Sequence, residues 1–127
     1  MPAVVSLHGG IAAVLLTLLL SGCSSEVPDH LRVVDGSPWQ GRQLIIDYGC
    51  SACHRIPGVR TIGGSVGPNL DGFGRQSYIA GHWPNRPDTL TRWLRDPTAL
   101  DPDTAMPGLG ISAPEARDMA AYLYTLR

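Results

Sequence analysis

Five consecutive residues, Cys50-Ser51-Ala52-Cys53-His54, limit what this chain can become more than any other part of its sequence. A Cys-x-x-Cys pair serves as a dithiol redox centre, as half of a zinc site or, when His follows directly, as a covalent attachment point for haem. A dithiol redox centre needs a βαβ context, and a zinc site needs another pair of ligands. The sequence has no βαβ pattern and only one further cysteine, Cys23, so the motif favours haem attachment.

The spacing of the motif matches the chemistry of haem. Two thiols separated by two residues can add to the vinyl groups of adjacent pyrrole rings, and the following His54 becomes the proximal iron ligand. We therefore predict one haem c, bound covalently through Cys50 and Cys53. The haem would also stabilise the fold by adding apolar surface to the core. A chain with 15 Gly, 11 Pro and one Phe among 127 residues buries little apolar surface by itself.

The sixth iron ligand has two candidate types, Met and His. Of the three methionines, Met1 is removed with the predicted signal peptide, and Met119 lies in a helical pattern where Met usually packs in the core. Met106 lies in a loop with prolines on both sides, which stiffen its backbone. His82 lies in a loop flanked by Gly and Pro and suits a surface role. We expect Met106 to be the ligand, which would close the iron to small ligands and favour electron transfer over catalysis.

The N-terminal segment predicts export and lipid attachment. The apolar run Ile11 to Leu20 is too short for a permanent membrane span but suits a secretory signal. Leu20-Ser21-Gly22-Cys23 resembles the bacterial lipobox, in which the cysteine is acylated. The alternative is an ordinary cleaved signal that leaves Cys23 as a stray thiol. The predicted organisation is a cleaved lipoprotein signal over residues 1–22, a lipid-attached tether over 23–36 and a haem domain over 37–127.

Helical patterns dominate the predicted haem domain. Ser37 starts a helix that runs to about Gly49 and carries the haem motif at its end. A second helix is predicted from Pro87 to Arg95, and a third from the capping box at Ser112 to about Leu126. The Gly-rich stretch between the first two helices predicts loops with at most short helical turns. No strand pattern competes, so the predicted fold class is all-α, with about three main helices and long loops around one haem.

The charge of the chain excludes several classes of function. Its net charge is −1, and 17% of its residues are charged. It has neither the basic excess of a nucleic-acid-binding protein nor the acidity of a disordered chain. All ten cationic residues other than His are Arg. Docking onto a partner through a ring of lysines is therefore not available to this protein.

Residues 37–127 resemble the class I c-type cytochromes. Gly67-Pro68-Asn69-Leu70 matches a segment of that family in which the Pro carbonyl holds the proximal His and the Leu packs on the haem. The resemblance implies these roles for Pro68 and Leu70, a haem-propionate contact for Arg75 and a haem contact for Trp93. It also implies that the last helix crosses the first at Gly41, with Tyr122 packed nearby. The stretch from Leu90 to Met106-Pro107 matches the approach to the axial Met.

A closer resemblance is to the cytochrome c domain fused to subunit II of some haem–copper oxidases. It rests on Cys53-His54-Arg55-Ile56-Pro57-Gly58, on the insertion that follows up to Gly67, and on residues 80–87, AGHWPNRP. This resemblance implies a carrier that donates electrons to a terminal oxidase. Together with the lipobox at Cys23, it implies a protein of the bacterial cell envelope, held by lipid on the extracytoplasmic side. The sequence leaves open a different redox partner, such as a dehydrogenase or a denitrification reductase, an open-iron sensor or enzyme, and a structural lipoprotein without haem.

Overall fold

The structure, a computed structural model, describes residues 26–127. The predicted signal peptide and Cys23 lie outside this range. The described chain contains four α-helices and two very short strands: α1 (Pro38–Asp47), β1 (Tyr78–Ile79), β2 (Trp83–Pro84), α2 (Pro87–Arg95), α3 (Pro97–Leu100) and α4 (Ala113–Leu123). Single 3-10 turns lie at Asp29–Leu31, Cys50–Ala52 and Phe73–Arg75. The all-α fold class predicted from the sequence is confirmed.

Helix α1 begins and ends as its sequence dictates. The Ser37 side chain accepts a hydrogen bond from Gln40 N at 3.3 Å, and Pro38 occupies the first turn. The helix ends at Asp47, and Gly49 adopts a left-handed conformation with φ of 70°. That conformation costs little for a residue without Cβ. It turns the chain directly into the Cys50–Ala52 turn, so α1 delivers the cysteine motif.

Helix α4 also starts at its predicted cap but ends earlier than expected. Glu115 Oε2 accepts hydrogen bonds from Ser112 N at 2.9 Å and from Ser112 Oγ at 2.6 Å, and these bonds lower the pKa of the Glu115 carboxyl. The helix stops at Leu123 rather than near Leu126. The chain then turns so that the Leu126 carbonyl accepts a hydrogen bond from Gly74 N at 2.8 Å. This tertiary bond ties the C-terminus to the loop region.

The first and last helices cross in direct backbone contact. A Cβ placed on Gly41 would overlap the carbonyl of Asp118 and lie 2.8 Å from Met119 N. Asp118 Oδ1 also accepts a hydrogen bond from Ser37 N at 2.8 Å, just before α1 begins. The crossing at Gly41 is therefore where the sequence resemblance placed it. Tyr122 lies one turn further along α4, where its hydroxyl donates to the Pro57 carbonyl at 2.6 Å.

Two local predictions were wrong in detail. β1 and β2 pair antiparallel, with Tyr78 opposite Pro84, although no strand was expected. The pair is too short to show a period-two pattern, and its turn uses Ala80 and Gly81, both with positive φ. Pro97 was expected only to end α2. It also opens α3, because Asp96 Oδ1 accepts a hydrogen bond from Ala99 N at 3.1 Å.

The packed structure starts before Ser37. Leu31 is buried in the core, and Val27 and Val33 pack against it. Gly36 lies against the α4 backbone at Arg117. Much of the segment predicted as a tether is therefore part of the domain. Its apolar residues are too few and too irregularly spaced to give a helical or strand pattern. In the described part of the chain, no helix is both long and apolar enough to cross a bilayer.

We predict that Gly41→Ala lowers the free energy of unfolding by about 1–3 kcal/mol, because the added methyl forces apart two helix backbones. Gly108→Ala is the matched control, since a Cβ there meets nothing within 4 Å and its φ is not positive. Denaturant unfolding of both haem-loaded variants measures the difference. Equal unfolding free energies would contradict the close crossing.

Candidate functional site

One cavity of about 360 Å³ lies between α1, α2, α4 and the loops that connect them. Its volume is within the range of about 300–1,000 Å³ typical of cofactor and ligand sites. Most of its lining is apolar. The apolar side chains that line it include Ile45, Ile56, Val66, Leu70, Phe73, Ile79, Leu90, Trp93, Leu94 and Leu123. Such a lining accepts a large apolar plate and excludes water from it.

Both motif cysteines line this cavity. Backbone hydrogen bonds fold the motif tightly: the Cys50 carbonyl accepts from Cys53 N at 3.2 Å and from His54 N at 2.9 Å. The two cysteines are free thiols, not joined by a disulfide. Burial raises the pKa of the Cys50 thiol, with a further contribution from Cys53. Two thiols thus face the same apolar space from one bent turn.

His54 is held in one orientation. Its Nδ1 lies 2.8 Å from the Pro68 carbonyl oxygen. A carbonyl oxygen can only accept, so Nδ1 carries the proton and Nε2 keeps its lone pair as a potential metal ligand. A Cβ on Gly67 would lie 2.7 Å from Nδ1 and 2.8 Å from Nε2 of the ring. Only glycine leaves the imidazole enough room at this position.

Met106 lines the same cavity from the loop after α3. Met106 N donates to Thr104 Oγ1 at 3.2 Å, and Thr104 N donates to the Asp101 carbonyl at 3.1 Å. These bonds fix the loop that presents the thioether. Met119 is fully buried in the core and does not line the cavity. His82 is exposed, packs against the Trp83 ring and also lies outside the lining.

The remaining predicted site residues divide into two groups. Pro68, Leu70 and Trp93 line the cavity. Arg75 does not line it: its side chain is exposed and lies beside Gly72. The structure therefore brings together seven of the eight residues assigned to the cofactor: Cys50, Cys53, His54, Pro68, Leu70, Trp93 and Met106.

Sequence reasoning missed a buried polar network behind one wall of the cavity. Asn85 Nδ2 donates to the carbonyls of Phe73 at 3.1 Å and Gln76 at 2.9 Å, and both of these residues line the cavity. Tyr124 donates its hydroxyl proton to Asn85 Oδ1 at 3.0 Å. Burial raises the pKa of Tyr124, so it stays a neutral donor. No short motif marks these residues, because their partners are distant in sequence.

The lining fits a haem. It provides two thiols on a single turn, an imidazole nitrogen with a free lone pair, a thioether and apolar walls. Across residues 26–127, no group of three or more His, Cys, Asp or Glu side chains is arranged to hold a metal ion.

Comparison with known proteins agrees with this geometry. Residues 40–127 match the family described as Cytochrome c. The chain belongs to the cytochrome c family. The predicted family is thereby confirmed. Membership establishes that this cytochrome c is a haem electron carrier with covalently bound haem c.

Its curated relatives include two proteins named cytochrome c oxidase subunit 2. The one from Alkalihalophilus pseudofirmus is 31% identical over 109 residues, which are 85% of this chain and 30% of the relative. The one from Bacillus subtilis is 28% identical over 87 residues, which are 67% of this chain and 24% of the relative. This cytochrome c thus spans less than a third of the length of these relatives.

We predict that Gly67→Ala displaces the imidazole of His54, because the new methyl would occupy space that the ring already fills. The expected result is weaker His ligation, visible as high-spin features in the optical spectrum of the haem-loaded protein. Gly108→Ala, next to the Met106 loop and in open space, should leave the spectrum unchanged. Identical low-spin spectra for both variants would contradict the packing of Gly67 on the ring.

Proposed function

We propose that this protein is a membrane-tethered, one-electron carrier that donates electrons to a terminal haem–copper oxidase. It would hold a single haem c through thioether bonds to Cys50 and Cys53, and His54 and Met106 would be the ligands of its iron. One observation carries this proposal: these four side chains line one apolar cavity. The bound haem supplies a one-electron redox couple.

The residues of the chain have separate tasks in this reaction. The Pro68 carbonyl orients His54 and keeps the proton on Nδ1. This hydrogen bond also increases the basicity of the ligand. As an iron ligand, the Met106 thioether would favour the ferrous state of the haem and so raise its reduction potential. The apolar walls would exclude water from the haem. The match to the cytochrome c family supports a carrier.

A terminal oxidase is the partner that the comparisons support best. Two relatives are named as oxidase subunits, and the match to the first covers 85% of this chain. A carrier that serves an oxidase needs a high potential, which Met ligation supplies. A reductase or dehydrogenase partner remains the second candidate from the sequence. A nucleic-acid partner has no support, since the net charge of the chain is −1.

Attachment to the membrane would come from lipid on Cys23, after removal of residues 1–22. Val27 already packs against the core, so only three residues lie between it and Cys23. The four residue-to-residue steps from Cys23 to Val27 reach at most about 14 Å, at about 3.3–3.6 Å per residue. The domain would therefore stay close to the bilayer on the extracytoplasmic side. Such confinement raises its effective concentration near membrane-bound partners.

We predict that the wild-type protein is low-spin, titrates as a one-electron couple at positive potential and does not bind carbon monoxide readily. In Met106→Ala, the open iron should bind carbon monoxide, and the potential should fall by on the order of 100 mV. Optical redox titration and carbon monoxide difference spectra measure both effects.

Met119→Leu is the control, because Met119 is buried outside the cavity lining. This volume-conserving change should cost less than about 1.5 kcal/mol and leave ligation intact. A wild-type protein that is high-spin or binds carbon monoxide would refute Met106 ligation and favour an open-iron sensor or enzyme.

We predict that Cys23→Ser moves the protein from the membrane fraction to the soluble fraction of the cell envelope, because each buried lipid CH₂ contributes about 0.8 kcal/mol. Mass spectrometry of the wild-type N-terminal peptide should show the acyl groups. Ser24→Ala should stay with the membrane. Equal partition of wild type and Cys23→Ser would contradict lipid attachment.

A further inference from the structure

The cavity that fits the haem has a single acidic residue in its wall. Of the residues in 26–127 that line it, Asp101 is the only Asp, Glu, Arg or Lys. The rest of the lining is mostly apolar, and its other polar side chains are neutral or belong to the cysteine motif. Asp101 is half-buried and directly follows α3. A charge beside apolar surface costs free energy unless a partner compensates it, so this carboxylate calls for an explanation.

No ion pair compensates Asp101 in the described part of the chain. The two ion pairs found in residues 26–127 lie elsewhere, and neither includes Asp101. Its Oδ1 accepts a hydrogen bond from Asp103 N at 3.2 Å. That bond fixes the position of the carboxylate but brings no positive charge to it. Since an Asp side chain is ordinarily ionised at neutral pH, Asp101 adds a fixed negative charge to the cavity wall.

Hydrogen bonds connect Asp101 to Met106, the proposed iron ligand. Thr104 N donates to the Asp101 carbonyl at 3.1 Å, and Met106 N donates to Thr104 Oγ1 at 3.2 Å. Through this short chain of bonds, the Asp101 carbonyl and Met106 N stay within about 10 Å of each other. All three residues line the same cavity. The charge of Asp101 therefore has a defined place close to the redox site.

A fixed negative charge favours the oxidised state of a nearby redox site. When one electron enters, the total charge in the cavity falls by one unit, and a neighbouring carboxylate repels the added charge. By Coulomb's law, a unit charge about 10 Å away changes the redox equilibrium on the order of tenfold at an effective dielectric constant of about 20. In water the change is only about twofold. Because the lining is largely apolar, we expect the larger effect.

We propose that Asp101 tunes the reduction potential of this protein and lowers it relative to the same site with a neutral residue at that position. Met106 ligation would raise the potential, and the Asp101 charge would partly offset that rise. The balance determines how readily the reduced carrier gives up its electron. One electron is exchanged with the partner, and no bond forms or breaks. This inference rests on the proposed function and adds a residue that adjusts it.

The test compares the reduction potentials of haem-loaded, full-length variants by optical redox titration at neutral pH. Asp101→Asn removes the charge but keeps an oxygen that can accept the hydrogen bond from Asp103 N. We expect the ratio of reduced to oxidised protein to rise about tenfold at a fixed ambient potential. This corresponds to a shift of about 59 mV for a one-electron couple. A rise of at least about threefold exceeds what a charge in water would give.

Asp103→Asn is the matched control. It removes the same charge from the same loop, but Asp103 is exposed and lies outside the cavity lining. Its effect should stay below about twofold and disappear at high ionic strength, because salt screens exposed charges. The shift in Asp101→Asn should persist at high ionic strength, because partly buried charges are screened much less.

A second variant, Asp101→Ala, removes both the charge and the hydrogen-bond acceptor. If Asp101→Asn and Asp101→Ala raise the potential alike and neither binds carbon monoxide, the charge is the cause, as proposed. Loss of Met106 ligation would instead lower the potential and open the iron to carbon monoxide.

The remaining outcomes separate this inference from the proposed function. If Asp101→Asn titrates at the wild-type potential, or shifts no more than Asp103→Asn, the tuning role is refuted and the proposed function stands. If the wild-type protein is not a low-spin, one-electron couple, the proposed function fails and the role of Asp101 fails with it.

Discussion

The contact between α1 and α4 at Gly41 is the constraint on which the rest of the structure depends. The two backbones approach so closely that no Cβ fits between them, and Asp118 fixes the start of α1 through Ser37. Because α1 leads directly into the Cys50 turn, this crossing sets where the thiols point. Because α4 carries Leu123 into the cavity, it also sets one wall of the site. The packing of these two helices therefore also determines where the cofactor would lie.

Loops complete the site, and hydrogen bonds give them the rigidity that helices would otherwise supply. Residues 62–67 are bonded to the cysteine motif, and Pro68 then receives the His54 ring. At another wall of the cavity, Asn85 donates hydrogen bonds to the backbone carbonyls of Phe73 and Gln76. Tyr124 in turn donates a hydrogen bond to Asn85. The bonds of Asn85 to the Phe73 carbonyl and to Tyr124 are buried, and buried polar groups are costly to leave unpaired, so this part of the cavity wall has one favoured position. A loop-rich chain can in this way present ligands to a metal with little freedom of movement.

Much of the site could be predicted from sequence because its chemistry is local. The Cys50 to His54 spacing, the caps at Ser37 and Ser112 and the stiff loop around Met106 all act over a few residues. Predictions failed or were incomplete where contacts between residues distant in sequence determine the local structure. Helix α4 ends at Leu123, and the Leu126 carbonyl accepts a hydrogen bond from the distant Gly74. Strands β1 and β2 pair through a turn that no periodic pattern marks. The Phe73–Arg75 turn buries Phe73 and exposes Arg75, which does not line the cavity, so the propionate contact of Arg75 stays a prediction.

The sequence by itself determined the helical class, the cysteine motif with its adjoining histidine and the methionine suited to complete the iron site. These features depend on residue spacing, helix capping and side-chain chemistry, all of which can be read from short segments of the sequence. Only the tertiary structure decided that residues 27–36 pack as part of the domain, that Asn85 supports the cavity wall and that Asp101 lines the cavity. Burial and exposure depend on what the rest of the chain covers, and no local pattern records that.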